Sequence, residues 1–222
     1  MTTVLRLDHV TKAFGPVKVI QDVSVDVIPD RVRVLLGENG AGKSTLIKMM
    51  SGIYHPDSGS VVIDDTPVEL PTVKAAEARG IATIHQELNL VPQMSVAENI
   101  MLGRTPSRGG LVNWGLMRAQ ARAALERIGL DVSPDRLVGS LSTAHQQLVE
   151  IARALSMDAR VLILDEPTAA LTRKESGQLF EVMDDLKTKG VAMVFISHHL
   201  DEIPRVGDDV SVLRDGTLVG EV

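Results

Sequence analysis

The chain of 222 residues is long enough for one sizeable α/β domain, or for one domain with an inserted lobe. A hydrophobic fraction of 44% supports a substantial core, and a net charge of −6 leaves no surplus of basic side chains to neutralise a nucleic-acid backbone. The lack of cysteine excludes disulfides and zinc–thiolate sites. No apolar run approaches the roughly 18 residues that span a bilayer, and the N-terminal residues lack a signal-peptide pattern. Any membrane association is therefore expected to run through a partner.

The first predicted strands form a β-rich N-terminal part. Apolar residues alternate with polar ones along residues 4–10 and 19–28, which indicates antiparallel strands with one buried face. A third strand is predicted at Val32–Leu36, where VRVLL is an almost continuous apolar run.

A glycine-rich turn, GENGAGKST, follows the third strand and matches the pattern G-x-x-x-x-G-K-[ST]. Its residues are Gly37, Glu38, Asn39, Gly40, Ala41, Gly42, Lys43, Ser44 and Thr45. A helical pattern follows at residues 46–50, so the motif lies between a strand and a helix, as it must. Backbone N–H groups of such a loop surround a polyphosphate, the lysine reaches the β- and γ-phosphates, and the hydroxyl binds Mg²⁺. We therefore predict a nucleoside triphosphate site with Lys43 and Ser44 in these roles.

The remaining pattern predicts a core with a helical insertion. Further strands are expected at 60–63, 81–84, 161–164, 191–196 and 209–213, whereas the pattern from about 87 to 157 is helical. SVAE at 95–98 is typical of a capping box, and RTPSRGG at 104–110 predicts a polar loop. An apolar stripe at helical spacing predicts core packing by Met117, Ala121, Leu125 and Ile128. A nucleotide-binding core is therefore expected at 1–86 and 158–222, with an inserted helical subdomain at 87–157.

A buried strand that ends in two acids is predicted at VLILDE, residues 161–166. Such a strand delivers carboxylates to the carboxyl edge of a sheet, where open α/β sheets bind ligands. With a phosphate loop upstream, Asp165 is expected to help hold Mg²⁺ through water. Glu166 is expected to orient or deprotonate the attacking water. A second capping box, Thr172 with Glu175, is predicted to open a helix at 173–189.

The order of these motifs resembles the ATP-binding subunits of ABC transporters over nearly the whole chain. The resemblance implies an α/β P-loop NTPase (RecA-like) core with an antiparallel β-subdomain and an inserted α-helical subdomain, using ATP and Mg²⁺. It implies that Phe14 stacks on adenine, and that Gln86 contacts Mg²⁺ and the attacking water and joins the core to the helical lobe. It also implies that His198 contacts the γ-phosphate, whereas His199 faces solvent. The loop TAALT at 168–172 matches the one that faces the opposite subunit.

The family signature LSGGQ is altered here to LSTAH at residues 141–145. In the family this segment opens a helix that clasps the γ-phosphate of ATP held by the other subunit of a head-to-tail pair. Ser142 and the helix N-terminus are retained, so anion binding is expected to survive. Ala144 replaces the second glycine; if that position needs positive φ or very close phosphate approach, its Cβ costs on the order of 1 kcal/mol. His145 replaces glutamine. We interpret the changes as variation, because similar loosened signatures occur in the sugar-importing branch.

The segments HQELNLVPQMSVAENIMLGR, EPTAALT and ISHHLDEI resemble the branch that imports monosaccharides such as ribose, galactose, xylose or arabinose. Members of that branch usually carry two ATPase halves, so the chain is either an N-terminal half or a single-unit subunit that dimerises. The implied partners are a second ATP-binding domain, a transmembrane sugar permease and, indirectly, a periplasmic sugar-binding protein, but no nucleic acid. The implied location is peripheral, at the cytoplasmic face of the membrane. Residues 87–104 are the candidate surface for docking the permease.

Three other functions remain open from the sequence. A nucleotide-binding switch with little or no hydrolysis is favoured by the altered residues Thr143, Ala144 and His145. A soluble ABC-type ATPase acting on DNA or ribosomes is opposed by the acidic net charge. A small-molecule kinase with a phosphate loop is the remotest, because it needs neither the Ser142 segment nor His198.

Overall fold

The computed structural model describes residues 3–222, and its strands and helices confirm the α/β class. Within that range the strands are β1 (Leu5–Phe14), β2 (Val17–Val27), β3 (Val32–Leu36), β4 (Ser58–Ile63), β5 (Thr66–Val68), β6 (Ile81–Ile84), β7 (Ser107–Arg108), β8 (Leu111–Val112), β9 (Val161–Asp165), β10 (Ala192–Ile196), β11 (Asp209–Arg214) and β12 (Thr217–Glu221). The helices are α1 (Lys43–Met50), α2 (Val73–Glu77), α3 (Val96–Ile100), α4 (Trp114–Glu126), α5 (Thr143–Leu155), α6 (Arg173–Thr188) and α7 (Ile203–Val206), with a 3-10 turn at Val138–Ser140. No helix in the range is long and apolar enough to cross a membrane.

The described chain forms two compact units. The first comprises residues 3–83, Ala159–Glu166 and Leu186–Val222, and the second comprises Ile84–Asp158 and Pro167–Asp185. The first unit contains nearly all of the β-structure, whereas the second contains α3, α4, α5 and most of α6.

An antiparallel sheet in the first unit is built by the N-terminal strands in the order β2-β1-β4-β5. Leu5 lies opposite both Val27 and Ile63, so β1 is the central strand between β2 and β4. Leu5 and Leu7 are fully buried while Arg6 between them is partly exposed, as alternation along a one-sided sheet requires. The antiparallel pair predicted for 4–10 and 19–28 is confirmed, although β1 continues to Phe14.

The six-stranded sheet has the order β12-β11-β3-β10-β9-β6. Its middle strands β3, β10 and β9 are parallel neighbours, with Met193 opposite Val32 and Ala192 opposite Val161. β10 is buried at every position and β9 at all but its last, which is why both are continuous apolar runs in the sequence. Because parallel strands end at the same edge, the residues that follow β3, β9 and β10 meet there.

The helices of the second unit begin as the sequence predicts. Ser95 donates its backbone N–H to the Glu98 carboxylate at 2.8 Å and its side chain accepts from the Glu98 N–H, which completes the capping box of α3. The Glu175 carboxylate likewise accepts the Thr172 backbone N–H at 2.9 Å, so the second capping box is also confirmed.

The predicted polar loop at 104–110 is partly wrong, because it contains a strand. β7 pairs with β8 in a short hairpin, with Ser107 opposite Val112. The turn residues Gly109 and Gly110 have φ of +60° and +81°. Two consecutive positive φ angles are what a two-residue type I′ hairpin turn requires, and glycine adopts them without steric cost. The apolar stripe is buried as predicted; Met117, Ala121 and Leu125 lie on α4, and Ile128 lies just beyond its end.

Candidate functional site

The phosphate loop leaves β3 and enters α1 through backbone conformations that favour glycine. Gly40 has φ of +85° and Gly42 has φ of +108°. A Cβ on Gly42 would lie 2.5 Å from Ile20 Cδ1 and 3.1 Å from the Val19 carbonyl oxygen, so no side chain fits there. Gly42 is also the N-cap of α1, and no side chain of the described residues caps that helix. The Thr45 N–H donates to the Gly42 carbonyl at 3.0 Å, which leaves the N–H groups of Lys43 and Ser44 in the first turn available to an anion.

Lys43 is held inside the loop. Its ammonium donates hydrogen bonds to the carbonyl oxygens of Gly37 at 2.6 Å and Glu38 at 3.0 Å. Only 8% of the residue is exposed. The charge is thus fixed at the loop by the chain itself, which reduces the ordering needed when a phosphate is bound.

A cleft of about 180 Å³ lies at the carboxyl edge of the parallel strands. Its lining combines the phosphate loop with the last residue of β9 and the acid after it: Asn39, Gly40, Gly42, Lys43, Ser44, Thr45, Asp165 and Glu166, together with Val19 and Ile196. The Ser44 hydroxyl and the Asp165 carboxylate are hard oxygen donors at one cleft. Mg²⁺ is held in proteins by such donors shared with substrate phosphates, so these residues fit that metal ion.

Glu166 and His198 are brought together by the neighbouring strands β9 and β10. The Glu166 carboxylate lies 3.3 Å from His198 Nδ1, and its side chain is 23% exposed against 52% for the histidine. Glu166 has φ of +49°, a left-handed conformation that is rare for a residue with a side chain and is concentrated at functional sites. Its backbone N–H donates to the Ile196 carbonyl at 3.1 Å, which ties the two strand ends together.

The loop that carries His198 has a support that the sequence reasoning missed. Ser197 is 1% exposed and donates its hydroxyl to the Glu202 carboxylate at 2.6 Å. The same hydroxyl accepts the His199 backbone N–H at 2.9 Å. His199 itself is exposed, as expected, and its ring centroid lies 4.0 Å from that of His198. A serine and a glutamate five positions apart give no distinctive pattern, so only the structure shows this pairing.

Phe14 ends β1 as an exposed aromatic residue rather than a core phenylalanine. It is 41% exposed and packs edge-on against Tyr54, with ring centroids 5.1 Å apart. Asp57 accepts hydrogen bonds from the Ala13 N–H and the Lys12 ammonium, both at 2.7 Å. Lys12, and next the Ala13 N–H, hold the pKa of the Asp57 carboxyl below its ordinary value. Asp57 thereby anchors the strand end that presents Phe14, a role that sequence reasoning missed.

The altered signature segment begins α5 in the second unit. Ser142 is the N-cap, and its hydroxyl accepts the His145 backbone N–H at 3.3 Å. Ala144 lies inside α5, is 4% exposed, and is not among the described residues with positive φ. The backbone therefore does not demand glycine at residue 144, and the strain considered from the sequence does not arise.

The sequence-predicted site residues are thus distributed over both units. The first unit brings together the phosphate loop, Asp165, Glu166 and His198, and it also contains Phe14. Gln86, an exposed residue, and the segment from Ser142 to His145 belong to the second unit.

Comparison with known proteins gives the family. The model of the family described as ABC transporter matches residues 20–169. A ribose import ATP-binding protein of Corynebacterium glutamicum is 67% identical over 219 residues, which are 99% of this chain and 42% of the relative. One of Chromobacterium violaceum is 54% identical over 213 residues, 96% of this chain and 42% of the relative. The chain thus spans less than half the length of these curated relatives.

The fold also matches solved structures. A nucleotide-free ATP-binding cassette from an ABC transporter superposes with a TM-score of 0.87 at 29% identity, covering 99% of this chain and 90% of the other. The ADP conformation of another ATP-binding cassette gives a TM-score of 0.88 at 28% identity, covering 100% and 91%. By motif, fold and sequence, the chain belongs to the ABC transporter family and is an ATP-binding cassette of the P-loop NTPase class.

Proposed function

We propose that this chain hydrolyses ATP as part of a head-to-tail pair of nucleotide-binding domains that powers import of a monosaccharide through a membrane permease. The observation that carries the proposal is the meeting of three strand ends: the phosphate loop after β3, Asp165 and Glu166 at the end of β9, and His198 after β10. Each supplies a different requirement of phosphoryl transfer, which needs positioning and charge neutralisation above all.

The residues of the first unit divide that work. Backbone N–H groups at the start of α1 and the Lys43 ammonium bind and neutralise the β- and γ-phosphates. Ser44 and Asp165 would hold Mg²⁺, which neutralises charge that develops on the phosphate oxygens. Glu166 orients the attacking water and accepts its proton, and His198 holds the carboxylate through Nδ1 and contacts the γ-phosphate. Phe14 presents an exposed ring for stacking on adenine.

The second unit carries the remaining residues to which the proposal gives a role. Gln86 would help to hold Mg²⁺ and to orient the attacking water. The N-terminus of α5, with Ser142 as its cap, offers N–H groups to the γ-phosphate bound by the opposite domain. The loop 168–172 faces that domain. An isolated domain then has an incomplete site, so hydrolysis is coupled to association.

The names of the relatives support a proposal for the substrate and the partners. Those compared are named for ribose import, so we assign the chain to a ribose-type monosaccharide importer. The second ATP-binding domain is part of the same longer protein or a second copy of this chain. The remaining partners are a transmembrane permease and, through it, a periplasmic sugar-binding protein, which puts the chain at the cytoplasmic face of the membrane.

The permease docks, in this proposal, on residues 87–104. Leu88, Leu90, Val91 and Met94 of this segment are only partly buried, so apolar surface is exposed next to Gln86. Crosslinking from cysteines placed at these positions to the permease tests the assignment. Crosslinks that form equally well from the exposed Leu116 would contradict it.

The first test is the Mg²⁺-dependent ATPase rate per chain as a function of protein concentration. We expect the rate to rise with concentration, because each complete site needs two domains. Glu166→Gln should lower turnover by about 10²–10⁴-fold with ATP binding retained, because it removes a general base. Glu181→Gln, an exposed substitution of the same kind on α6, should leave it unchanged. ATP binding with a Glu166-independent residual rate would favour the alternative of a nucleotide-binding switch, which the altered signature suggests.

A further inference from the structure

Helix α5 carries, beyond its first turn, a pair of charged side chains that hold the segment following Gln86. Glu150 and Arg153 lie three residues apart on α5, so they share one face of the helix. Glu150 Oε1 accepts the backbone N–H of Asn89 at 2.6 Å. Arg153 Nη1 donates to the backbone carbonyl of the same residue at 3.5 Å. The backbone N–H and C=O of Asn89 are therefore both hydrogen-bonded to α5, the helix that Ser142 caps.

A glutamate at position 150 lowers the stability of the fold, because its carboxyl group is buried. It is 8% exposed, and desolvation by burial raises the pKa of its carboxyl, although the Asn89 N–H and Arg153 act in the opposite direction. Its second oxygen, Oε2, and the neighbouring buried Gln147 Nε2 have no hydrogen-bond partner within the described residues. A buried carboxylate that is only partly satisfied costs stability that an apolar side chain of similar size would not. Stability alone therefore does not explain this glutamate.

The segment that it holds is otherwise irregular. Residues 85–94 form no helix or strand, and Gln86 near their start is exposed. Beyond Asn89 the backbone is fixed by the buried Asn99 of α3, which accepts the Val91 N–H at 2.7 Å and donates to the Val91 carbonyl at 3.0 Å. The hydrogen bond to Glu150 thus fixes the chain at Asn89, three residues after the exposed Gln86. It lies before the part of the segment that is bound to α3.

We propose that Glu150 is a positioning residue for ATP hydrolysis: through the backbone of Asn89 it ties the Gln86 segment to α5, so that Gln86 and the Ser142 helix terminus keep one fixed relation. The inference rests on the proposed function, in which both groups act at ATP sites. In this inference Glu150 contacts neither the nucleotide nor the metal. It fixes the position of Gln86 relative to the helix terminus at Ser142, which binds phosphate.

Two substitutions separate the acceptor from the rest of the side chain. Glu150→Gln keeps a carbonyl oxygen for the Asn89 N–H, whereas Glu150→Leu keeps similar volume and removes the acceptor. On the full-length protein we expect Glu150→Leu to lower kcat at least tenfold with the KM for ATP within twofold, because the phosphate loop is untouched. We expect Glu150→Gln to retain at least a third of the wild-type kcat. Glu126→Leu, an exposed change on α4, is the matched control and should match wild type.

Amide hydrogen exchange supplies a readout that does not depend on turnover. Losing the acceptor should speed exchange of peptides covering 86–91, while Glu150→Gln and Glu126→Leu leave them unchanged. Fluorescence of Trp114, the only tryptophan, checks that the second unit stays folded. Unchanged exchange in Glu150→Leu, or faster exchange with wild-type kcat, overturns this inference while leaving the proposed function standing. Absence of Glu166-dependent turnover in the wild type instead overturns the proposed function.

Discussion

The helices α1 and α5 are both expected to present their N-termini to phosphate, yet they begin in different ways. α1 begins after Gly42, whose φ of +108° and crowded surroundings exclude any side chain, and no described side chain caps it. α5 begins after Ser142, in ordinary extended conformation with φ of −64°, and the serine hydroxyl caps the third residue of the helix. The start of α1 depends on a backbone conformation that only glycine adopts without strain, whereas the start of α5 depends on a hydrogen bond to a side chain.

This difference explains why the phosphate loop matches the family pattern fully, whereas the segment 141–145 departs from it. At position 42 of the phosphate loop, glycine is required by conformation and by space, so no other residue is tolerated there. In the segment 141–145, the backbone is helical from Thr143 onward, and alanine is a better helix former than glycine. The departures from the family signature therefore fall at positions where the fold does not need the family residue.

The largest effect that would test this comparison is expected for Gly42→Ala. The left-handed conformation costs a residue with a Cβ about 1–2 kcal/mol, and overpacking against Ile20 adds about 1–3 kcal/mol. The loop must either distort, which removes ATP binding, or destabilise the fold. Titration with ATP and the thermal midpoint measure the two outcomes. Gly177→Ala, inside α6 with nothing near its Cβ position, should raise the midpoint slightly instead. Normal ATP binding and stability in Gly42→Ala would contradict the backbone argument.

Lys43→Ala is expected to weaken ATP binding by about 10–100-fold, because a charge-assisted hydrogen bond contributes about 1.5–3 kcal/mol. The measurement is the Kd for ATP with Mg²⁺ present. Lys74→Ala, on the short helix α2 of the same unit, is the control for loss of one positive charge. An unchanged Kd in Lys43→Ala would count against the phosphate-loop role of this lysine.

What the sequence could predict depended on how local each feature is. β3 and β6 have the bounds expected from it, because a buried strand is a continuous apolar run. The phosphate loop and both capping boxes were recognised for a similar reason, since each is set within a few residues. The contacts of Asp57 with Ala13 and of Glu150 with Asn89 join residues 44 and 61 positions apart, and no local pattern indicates them. The pairing of Glu166 with His198 follows from the order of β9 and β10 in the sheet.

Ala144→Gly sharpens the comparison in the opposite direction from Gly42→Ala. Restoring the family glycine should lower the free energy of unfolding by about 1 kcal/mol, because glycine weakens a helix and a buried methyl group is lost. It should not raise the ATPase rate, since Ala144 is helical and buried. Thermal unfolding and steady-state turnover of the variant check both expectations. A clear gain in turnover would show that the alanine obstructs phosphate approach despite its relaxed backbone.

The smallest effect is expected at the N-terminus of α6, whose first turn contains the Glu175 carboxylate. At α6 the Glu175 carboxylate accepts the Thr172 backbone N–H and hydroxyl, and these bonds hold its pKa below the ordinary value of 4.5. A lowered pKa means that the interaction stabilises the fold above that value and is lost as the pH falls through the native pKa. Glu175→Gln should therefore lower the thermal midpoint at pH 7, by an amount that shrinks as the pH falls below 4.5 and vanishes below the native pKa. A difference that does not change with pH would contradict the assignment. Because the first turn of α6 contains a carboxylate where those of α1 and α5 have none, a phosphate would be repelled at that terminus.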